Sequence, residues 1–395
     1  MRTIQDMTNI LISGASIAGT TLAYWLREYG FTPTVVERAN EVREGGYKVD
    51  IRGAALDVVE RMGLLEHIRS LRTDVRTGSV VDGAGRQVAS MDGDSFGGRV
   101  HQDAELHRGD LTRLLHEATS GVEYLFGDSI ASIDGTQVTF DSGLVRHFDL
   151  VVGADGLHSN TRALAFGPED RYVRDMGYNV SIFSVPNHLG LDREELTYVG
   201  PGRTALLYST RQDAGAKAMF LWQSDDKARE RAEQQRILAE AYTGSGWEVP
   251  RLLEGMADAP DFYYDSLSQV RMDSWHAGRV ALIGDAAYCA SPASGQGTSL
   301  ALVGAYVLAG ELKRAAGDHT AAFPAYEARM RPFVEANQAL GTGNIKRMVM
   351  ATPFQVRMSM IMLRVVNLLP GKDRIMAKVV EPIHRAATAI DLPSY

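Results

Sequence analysis

The sequence predicts an α/β fold interrupted by an inserted, mainly antiparallel β-sheet domain and closed by C-terminal helices. Three observations carry that prediction. The chain opens on an apolar strand, a glycine turn and a helix, "NILISGASIAGTTLAYWLREYG". A second apolar strand, Arg279–Gly284, runs through a Pro/Gly loop into a helix rich in Ala, Leu and Val. Between them, from about residue 173 to 269, β-forming segments alternate with turns, and only one clear helix intervenes.

The elements follow in order. Ile10–Ser13 is a short apolar run and reads as a strand. Ile17, Thr21, Leu22, Trp25 and Leu26 recur at helical spacing, so Ile17–Tyr29 reads as a helix that Gly30 ends. Thr34–Glu37 is the next strand, which completes the opening of a Rossmann-like unit. Ala54–Leu71 reads as one helix and Asp110–Thr119 as another. Residues 79–91 read as a hairpin turning at Gly83–Gly85. Tyr124–Phe126, Ile130–Ile133 and Gln137–Phe140 are short strands, and Phe148–Gly153 is an apolar strand ending in "GADG". In the inserted region "NVSIFSV", "ELTYVG", "TALLYST" and "KAMFLWQS" read as strands and Lys227–Thr243 as the helix. Thr298–Lys313 and Phe323–Ala336 are helices, the second kinked by Pro332, and methionine-rich helices follow from Gly343. The domains expected from this pattern are a discontinuous nucleotide-binding domain (1–75, 103–172 and 270–335), a substrate domain (76–102 and 173–269) and a helical region (336–395).

Composition narrows the class. The chain has 395 residues, 45% hydrophobic and 23% charged, an ordinary globular balance. A net charge of −8 argues against a nucleic-acid partner, which needs a basic surface. The one cysteine, Cys289, cannot form an internal disulfide, and no spacing points to a metal site. Met1–Thr8 lacks a signal-peptide pattern. The apolar run "MSMIMLRVVNLLP" is interrupted by Arg364 and stopped by Pro370, short of the roughly 20 residues of a membrane span. The expectation is a cytoplasmic protein without a membrane span, monomeric or homodimeric, that takes a small-molecule substrate.

Three segments carry chemistry. In "GASIAG", Gly14 makes the turn, Ala15, Ser16 and Ala18 lead into the helix, and Gly19 permits close helix–strand packing. Such a turn aims backbone N–H groups at a pyrophosphate, and Glu37, about 20 residues on, suits ribose hydroxyls. Packing alone also accounts for these glycines, and the motif does not separate NAD from FAD. Asp155–Gly156 follows an apolar strand; an ordinary β-turn explains it equally well. In the third segment Asp285 ends a strand and suits hydroxyl donors such as a ribityl chain. The glycine loop and helix start after it expose N–H groups, a place for the negative charge of a reduced flavin ring.

In this order, the three segments resemble the group A flavoprotein monooxygenases, the para-hydroxybenzoate hydroxylase-like family. Within it, their layout is most similar to the tetracycline-inactivating enzymes. The resemblance covers residues 9 to about 335 and implies bound FAD. It puts Asp285 on the flavin ribityl chain and Pro292, Gly295 and Gly297 at the flavin ring. It puts Glu37, followed by Arg38, at the ribose, and Arg108 of "ELHRGDL" on FAD. Asp155 and Gly156 would serve both FAD and the nicotinamide donor. Asp50 of "GGYKVD" would lie near the flavin and Arg43 near the donor. Two residues that would surround the flavin ring depart from the family pattern: Tyr288 stands where His is common, and Ser299 where Asn is common.

The implied chemistry is reduction of FAD by NADPH or NADH bound transiently, because no second dinucleotide fingerprint is present. O2 would then form a flavin C4a-hydroperoxide that hydroxylates a polycyclic or polyketide-like small molecule, in antibiotic biosynthesis or resistance. Two other readings stay open: an NAD(P)H-dependent flavin reductase, oxidase or enone reductase of natural-product biosynthesis, and a non-catalytic FAD- or ligand-binding protein. No catalytic acid or base can be named. Tyr178, Tyr208 and Trp222 are candidate pocket residues on the inserted sheet, although strand-core packing accounts for them too. Met348, Met350, Met358, Met360 and Met362 could wall an apolar substrate or simply pack helices. His101 and His107 read as structural. The tryptophans never form the Trp-x-Trp pattern of flavin halogenases.

Overall fold

The computed structural model describes residues 8–42, 45–100, 102–212, 215–370 and 372–395. Arg43 and His101 lie outside the described residues. A six-stranded sheet carries the first part of the fold. Its order is His276–Ala277, Val280–Leu282, Leu150–Gly153, Asn9–Ser13, Thr32–Glu37 and Glu123–Phe126. All neighbours are parallel except the first pair. Asn9–Ser13 thus lies at the centre, and the strands ending at Ser13, Glu37, Gly153 and Leu282 open on one edge. Ligands in open parallel sheets bind at that carboxyl edge. The helices Ile17–Glu28 and Gly297–Arg314 pack against each other on the sheet. The second is buried at every residue from Thr298 to Leu312, which explains its mostly apolar sequence.

The inserted sheet has seven strands: Tyr263–Val270, Val173–Val185, Ala216–Gln223, Arg203–Tyr208, Glu194–Gly200, Thr77–Val81 and Gln87–Asp92. Only the pairing of Glu194–Gly200 with Thr77–Val81 is parallel. One face packs on the helices Arg231–Ala241 and Val249–Glu254 through Phe183, Phe220, Trp222, Leu238 and Leu252. The other face looks back toward the parallel sheet.

Several expected elements differ. The single helix expected over Ala54–Leu71 is two, Ala54–Arg61 and Leu65–Ser70, because Gly63 between them has φ +71°. Two strands escape the apolar pattern: Lys48–Ile51 and Ala104–His107 form an antiparallel pair. Their sequences carry Lys48, Asp50 and Glu105, charges that the fold buries by pairing them. The helix expected at Phe323–Ala336 runs from His319 to Met348, with Pro324 and Pro332 inside it. It also continues through Gly341, where a Cβ would lie 2.4 Å from the Ala290 carbonyl oxygen. The helix therefore presses directly on the loop after Asp285. Gln338 donates to the Val270 carbonyl (2.8 Å) and Asn344 to that of Ala293 (3.2 Å). The tail helices are Pro353–Leu368 and Lys372–Ala387. Among the described residues no single helix is long and apolar enough to cross a membrane; a bent pair, His319–Met348 with Pro353–Leu368, passes by length and composition only.

Candidate flavin site and substrate cleft

The glycine turn is built by steric necessity. Gly14 has φ +106°, and a Cβ there would meet the Ala154 carbonyl oxygen at 2.6 Å. The turn thus lies directly against the end of the strand that carries Asp155. Gly19 sits still tighter: its Cβ would fall 1.9 Å from the Gly14 carbonyl oxygen and 3.2 Å from Ile12 Cγ2. The Glu37 carboxylate folds over the turn, accepting from the Ala15 N–H and the Ala39 N–H at 2.9 Å each. Arg38 beside it is exposed. Ala18 lies under Gly284, which has φ +60°, and this contact joins the first segment to the third.

Ser16 is the one accessible residue of Leu11–Thr20. It caps the first helix, but its side chain bonds no helix N–H. Instead its Oγ accepts from Arg108 Nη2 at 3.0 Å. Arg108 opens the helix Arg108–Ala118, held by a bond from its N–H to the Tyr47 carbonyl (3.0 Å). Two residues expected at the cofactor are thus in direct contact. Ser16→Gly is expected to leave FAD bound, with a Kd changed by no more than a few-fold in a flavin titration. Arg108 loses one exchangeable acceptor, and glycine at a helix N-cap costs only about a few tenths of a kcal/mol. Flavin loss in that variant would show that the hydroxyl is a required ligand.

Asp155 is more committed than a turn residue needs to be. Its carboxylate accepts from Ser159 Oγ (2.5 Å), Thr161 N (2.8 Å), Thr161 Oγ1 (2.9 Å) and Ser13 Oγ (3.4 Å). It therefore ties the first strand to the start of the helix Asn160–Phe166, while Gly156, at φ +81°, turns the chain. Arg162, fully buried, donates from Nη1 to the Ala286 carbonyl (3.0 Å) and from Nη2 to that of Leu157 (2.7 Å). Sequence reasoning missed Arg162 as the link between the second and third segments, because its partner is 124 residues away.

The third segment shows a telling exposure pattern. From Asp285 to Leu312 every residue is buried except four: Asp285, Pro292, Gly295 and Gly297. These are the four that the resemblance puts at the flavin. Asp285 reaches solvent, yet the protein around it raises its carboxyl pKa by burial, with Arg108 pulling the other way. A group both accessible and surrounded lines a concave cleft. Tyr47 and Tyr263, with ring centroids 5.9 Å apart, share that cleft, and burial raises both phenols. Ser291 holds φ +74°, strain stored in the loop beside Pro292. Gln296 is fully buried, and neither its amide oxygen nor its amide nitrogen has a partner among the described residues. An orphaned amide of that kind, within a glycine loop at a helix start, fits a heterocycle that both donates and accepts hydrogen bonds.

A family model described as FAD binding domain matches residues 7–339. The chain belongs to this FAD-binding family. It is 47% identical over 353 residues to an uncharacterized protein of Mycobacterium tuberculosis, covering 86% of this chain and 94% of the relative. It is 43% identical over 339 residues to a flavin-dependent monooxygenase of an unknown prokaryotic organism, covering 84% of this chain and 88% of that one. The crystal structure of tetracycline destructase Tet(55) superimposes with a TM-score of 0.87 at 38% identity, covering 100% of each chain. The protein is accordingly an FAD-dependent monooxygenase, not a non-catalytic flavin binder.

The flavoenzyme's other candidate residues divide. Asp50 lies in the Lys48–Ile51 strand, its carboxylate 2.9 Å from Arg52 Nη2 and 3.5 Å from Arg99 Nη1. Tyr288 does not face the cleft: it is buried, bonds Tyr326 through its hydroxyl (3.1 Å) and fills the space left by Gly304. Ser299 is also buried and accepts from the Arg52 N–H at 3.2 Å. These departures from the family pattern are answered by local packing. His107 is bonded to Thr210 Oγ1 at 2.8 Å.

Strand alternation sorts the sheet residues. Val180 and Ile182 pair with Leu221 and Met219 on the face toward the flavin loop, where they cluster with Ala293 and Ile345. Tyr47, Met176, Tyr178, Met219 and Met348 are half-buried on that cluster. Tyr178 is therefore on the cleft side. Tyr208 is buried, with Lys48 Nζ 4.8 Å from its ring centre. Trp222 is a correction: it pairs with Asn179 on the opposite face and packs against Tyr242 and Tyr264, away from the cleft. Of the methionines, Met348 packs on the cleft cluster, while Met358 and Met362 are exposed on the outer surface.

Proposed function

We propose that this flavoenzyme takes electrons from NADPH or NADH and uses O2 to hydroxylate a polycyclic or polyketide-like small molecule. The observation that carries the reading is the cleft: accessible Asp285, Pro292, Gly295 and Gly297 on one side, and the half-buried wall of Tyr47, Met176, Tyr178, Met219 and Met348 on the other. Bound FAD supplies the electron storage and oxygen activation. The chain's part is positional. Gly14 and the helix start after it receive the pyrophosphate, Glu37 the ribose hydroxyls, and Arg108 with Ser16 the phosphate side of the same nucleotide. Asp285 takes the ribityl hydroxyls. Pro292 and the N–H groups near Gly295 and Gly297 lie along the ring, where the positive end of the helix Gly297–Arg314 favours negative charge. Asp155 and Gly156 hold the strand edge between nucleotide and loop.

The apolar wall has two further tasks. It takes a flat hydrophobic substrate, since Tyr and Met adapt to large ring systems. It also keeps water from the reacting centre, without which reduced flavin wastes O2 as hydrogen peroxide. The name of the tetracycline destructase relative supports a polycyclic substrate class. The test is turnover under labelled O2 with NADPH and a panel of tetracyclic and related polyketides. The expected product carries one labelled oxygen atom. A reduced product without label would sink the hydroxylase reading and favour the enone reductase.

A further inference from the structure

The two tail helices present an apolar surface that the rest of the fold leaves uncovered. Fifteen large hydrophobic residues are exposed among the described residues, and nine of them lie between Phe354 and Val379. In the helix Pro353–Leu368, Phe354, Met358, Ile361, Met362, Val365 and Leu368 are all exposed, up to 84% at Leu368. At helical spacing they form one stripe about 120° wide. The opposite side of the same helix, with Val356, Met360 and Leu363, is half-buried and packs toward the Gln87–Asp92 strand. The helix is therefore seated on the body, capped at its start by a Thr352–Gln355 capping box. Its outward side is the apolar one. Ile375 and Val379 are exposed on the next helix, which is in contact with this one.

Charge identifies what covers it. Residues 346–380 hold seven basic residues and one acidic residue, in a chain whose net charge is −8. Arg357 and Arg364 flank the apolar stripe on one edge; both are exposed, and among the described residues Arg364 has only a distant ion pair, 3.9 Å to Asp82. Lys346 and Arg347 precede the helix and Lys378 follows it. A second copy docked by two-fold symmetry would lay this basic band against itself, which opposes the contact. A surface with dense negative charge and an apolar interior matches both features. Apolar side chains enter such an interface while arginines and lysines reach the headgroups.

We propose that the helices Pro353–Leu368 and Lys372–Ala387 seat the enzyme on an anionic lipid surface, lying in the interface without crossing it. The proposal does not depend on the substrate reading. The test is flotation of the full-length, flavin-loaded protein with vesicles of phosphatidylcholine alone or mixed with phosphatidylglycerol. The expected result is binding to the mixed vesicles, weakened by high salt and by omission of the anionic lipid. Met362→Glu with Val365→Glu is expected to lower the partition coefficient on the order of ten-fold or more, and so is Arg357→Glu with Arg364→Glu. All four positions are exposed, so flavin absorbance and melting temperature should stay as in the parent. If a variant fails to fold, the lipid and salt dependence of the parent decides. The proposal is overturned if the parent floats no better with anionic vesicles than without lipid, or if folded variants bind as the parent does. It is equally overturned if sedimentation reveals a dimer that Met362→Glu disperses while vesicles stay unbound.

Discussion

Gly19→Ala is expected to strip the protein of flavin. The added Cβ would stand 1.9 Å from the Gly14 carbonyl oxygen, a backbone atom that cannot swing aside as a side chain would. The helix Ile17–Glu28 must then lift from the turn by more than an ångström. The displaced atoms include the Ala15 N–H that Glu37 holds at 2.9 Å. Purified protein should retain less than a tenth of the parent's flavin, with a melting temperature lower by several degrees, as expected for about 2–3 kcal/mol of overpacking. Gly343→Ala is the control: it lies in the interior of the helix His319–Met348, and its Cβ meets no atom within 4 Å. That change should leave flavin content intact and raise stability by up to about 1 kcal/mol. Full flavin and unchanged melting in Gly19→Ala would refute the steric account of the turn.

Glu105→Gln is expected to destabilise the protein by about 3–5 kcal/mol, the usual cost of breaking a buried pair by removing one partner. Glu105 lies 2.5 Å from Arg99 Nη1 and 3.2 Å from Lys48 Nζ, and accepts from Thr73 Oγ1 at 2.5 Å. Lys48 in turn reaches Glu195 at 2.5 Å. The network thus ties the Lys48–Ile51 and Ala104–His107 pair to the Glu194–Gly200 strand of the large sheet. Burial pushes the Glu105 carboxyl up, but Lys48 and Arg99 together outweigh it and hold the pKa at about 2.

The direction of the pH effect follows. A carboxyl depressed in the fold stabilises fully above its unfolded value of 4.5 and loses that contribution as pH falls toward 2. Urea unfolding should therefore separate parent and Glu105→Gln widely at neutral pH. The gap should close as the pH is taken below about 4. A gap that is the same in acid as at neutrality would mean that Glu105 is not held ionised.

What could be read directly from the sequence are features decided within a few residues. A turn that must bend at Gly14, a helix that must approach at Gly19, and an acid placed one strand later at Glu37 are local demands on backbone geometry. The segment after Asp285 is similar. Its alternation of small, glycine and apolar residues foretells a buried strand and helix, and the four of its residues that stay accessible are the ones the family pattern marks. The repeated β-formers of the inserted region likewise show a sheet before any partner is known.

Tertiary structure decided whatever depends on a distant partner. Lys48, Asp50 and Glu105 interrupt the apolar pattern of two strands, and only charges brought together across the chain make those strands bury. Tyr178 and Trp222 both look like pocket aromatics; register places them on opposite faces, because a one-residue step along a strand reverses a side chain. Gln296 carries its significance in lacking partners among the described residues, which no sequence displays. The helix Pro353–Leu368 carries apolar residues on both sides; which side the body covers is settled by packing, and the uncovered side is the one beside Arg357 and Arg364. Short-range sterics are written in neighbouring letters, whereas pairing of charges and choice of face are properties of surfaces that exist only once the chain has closed.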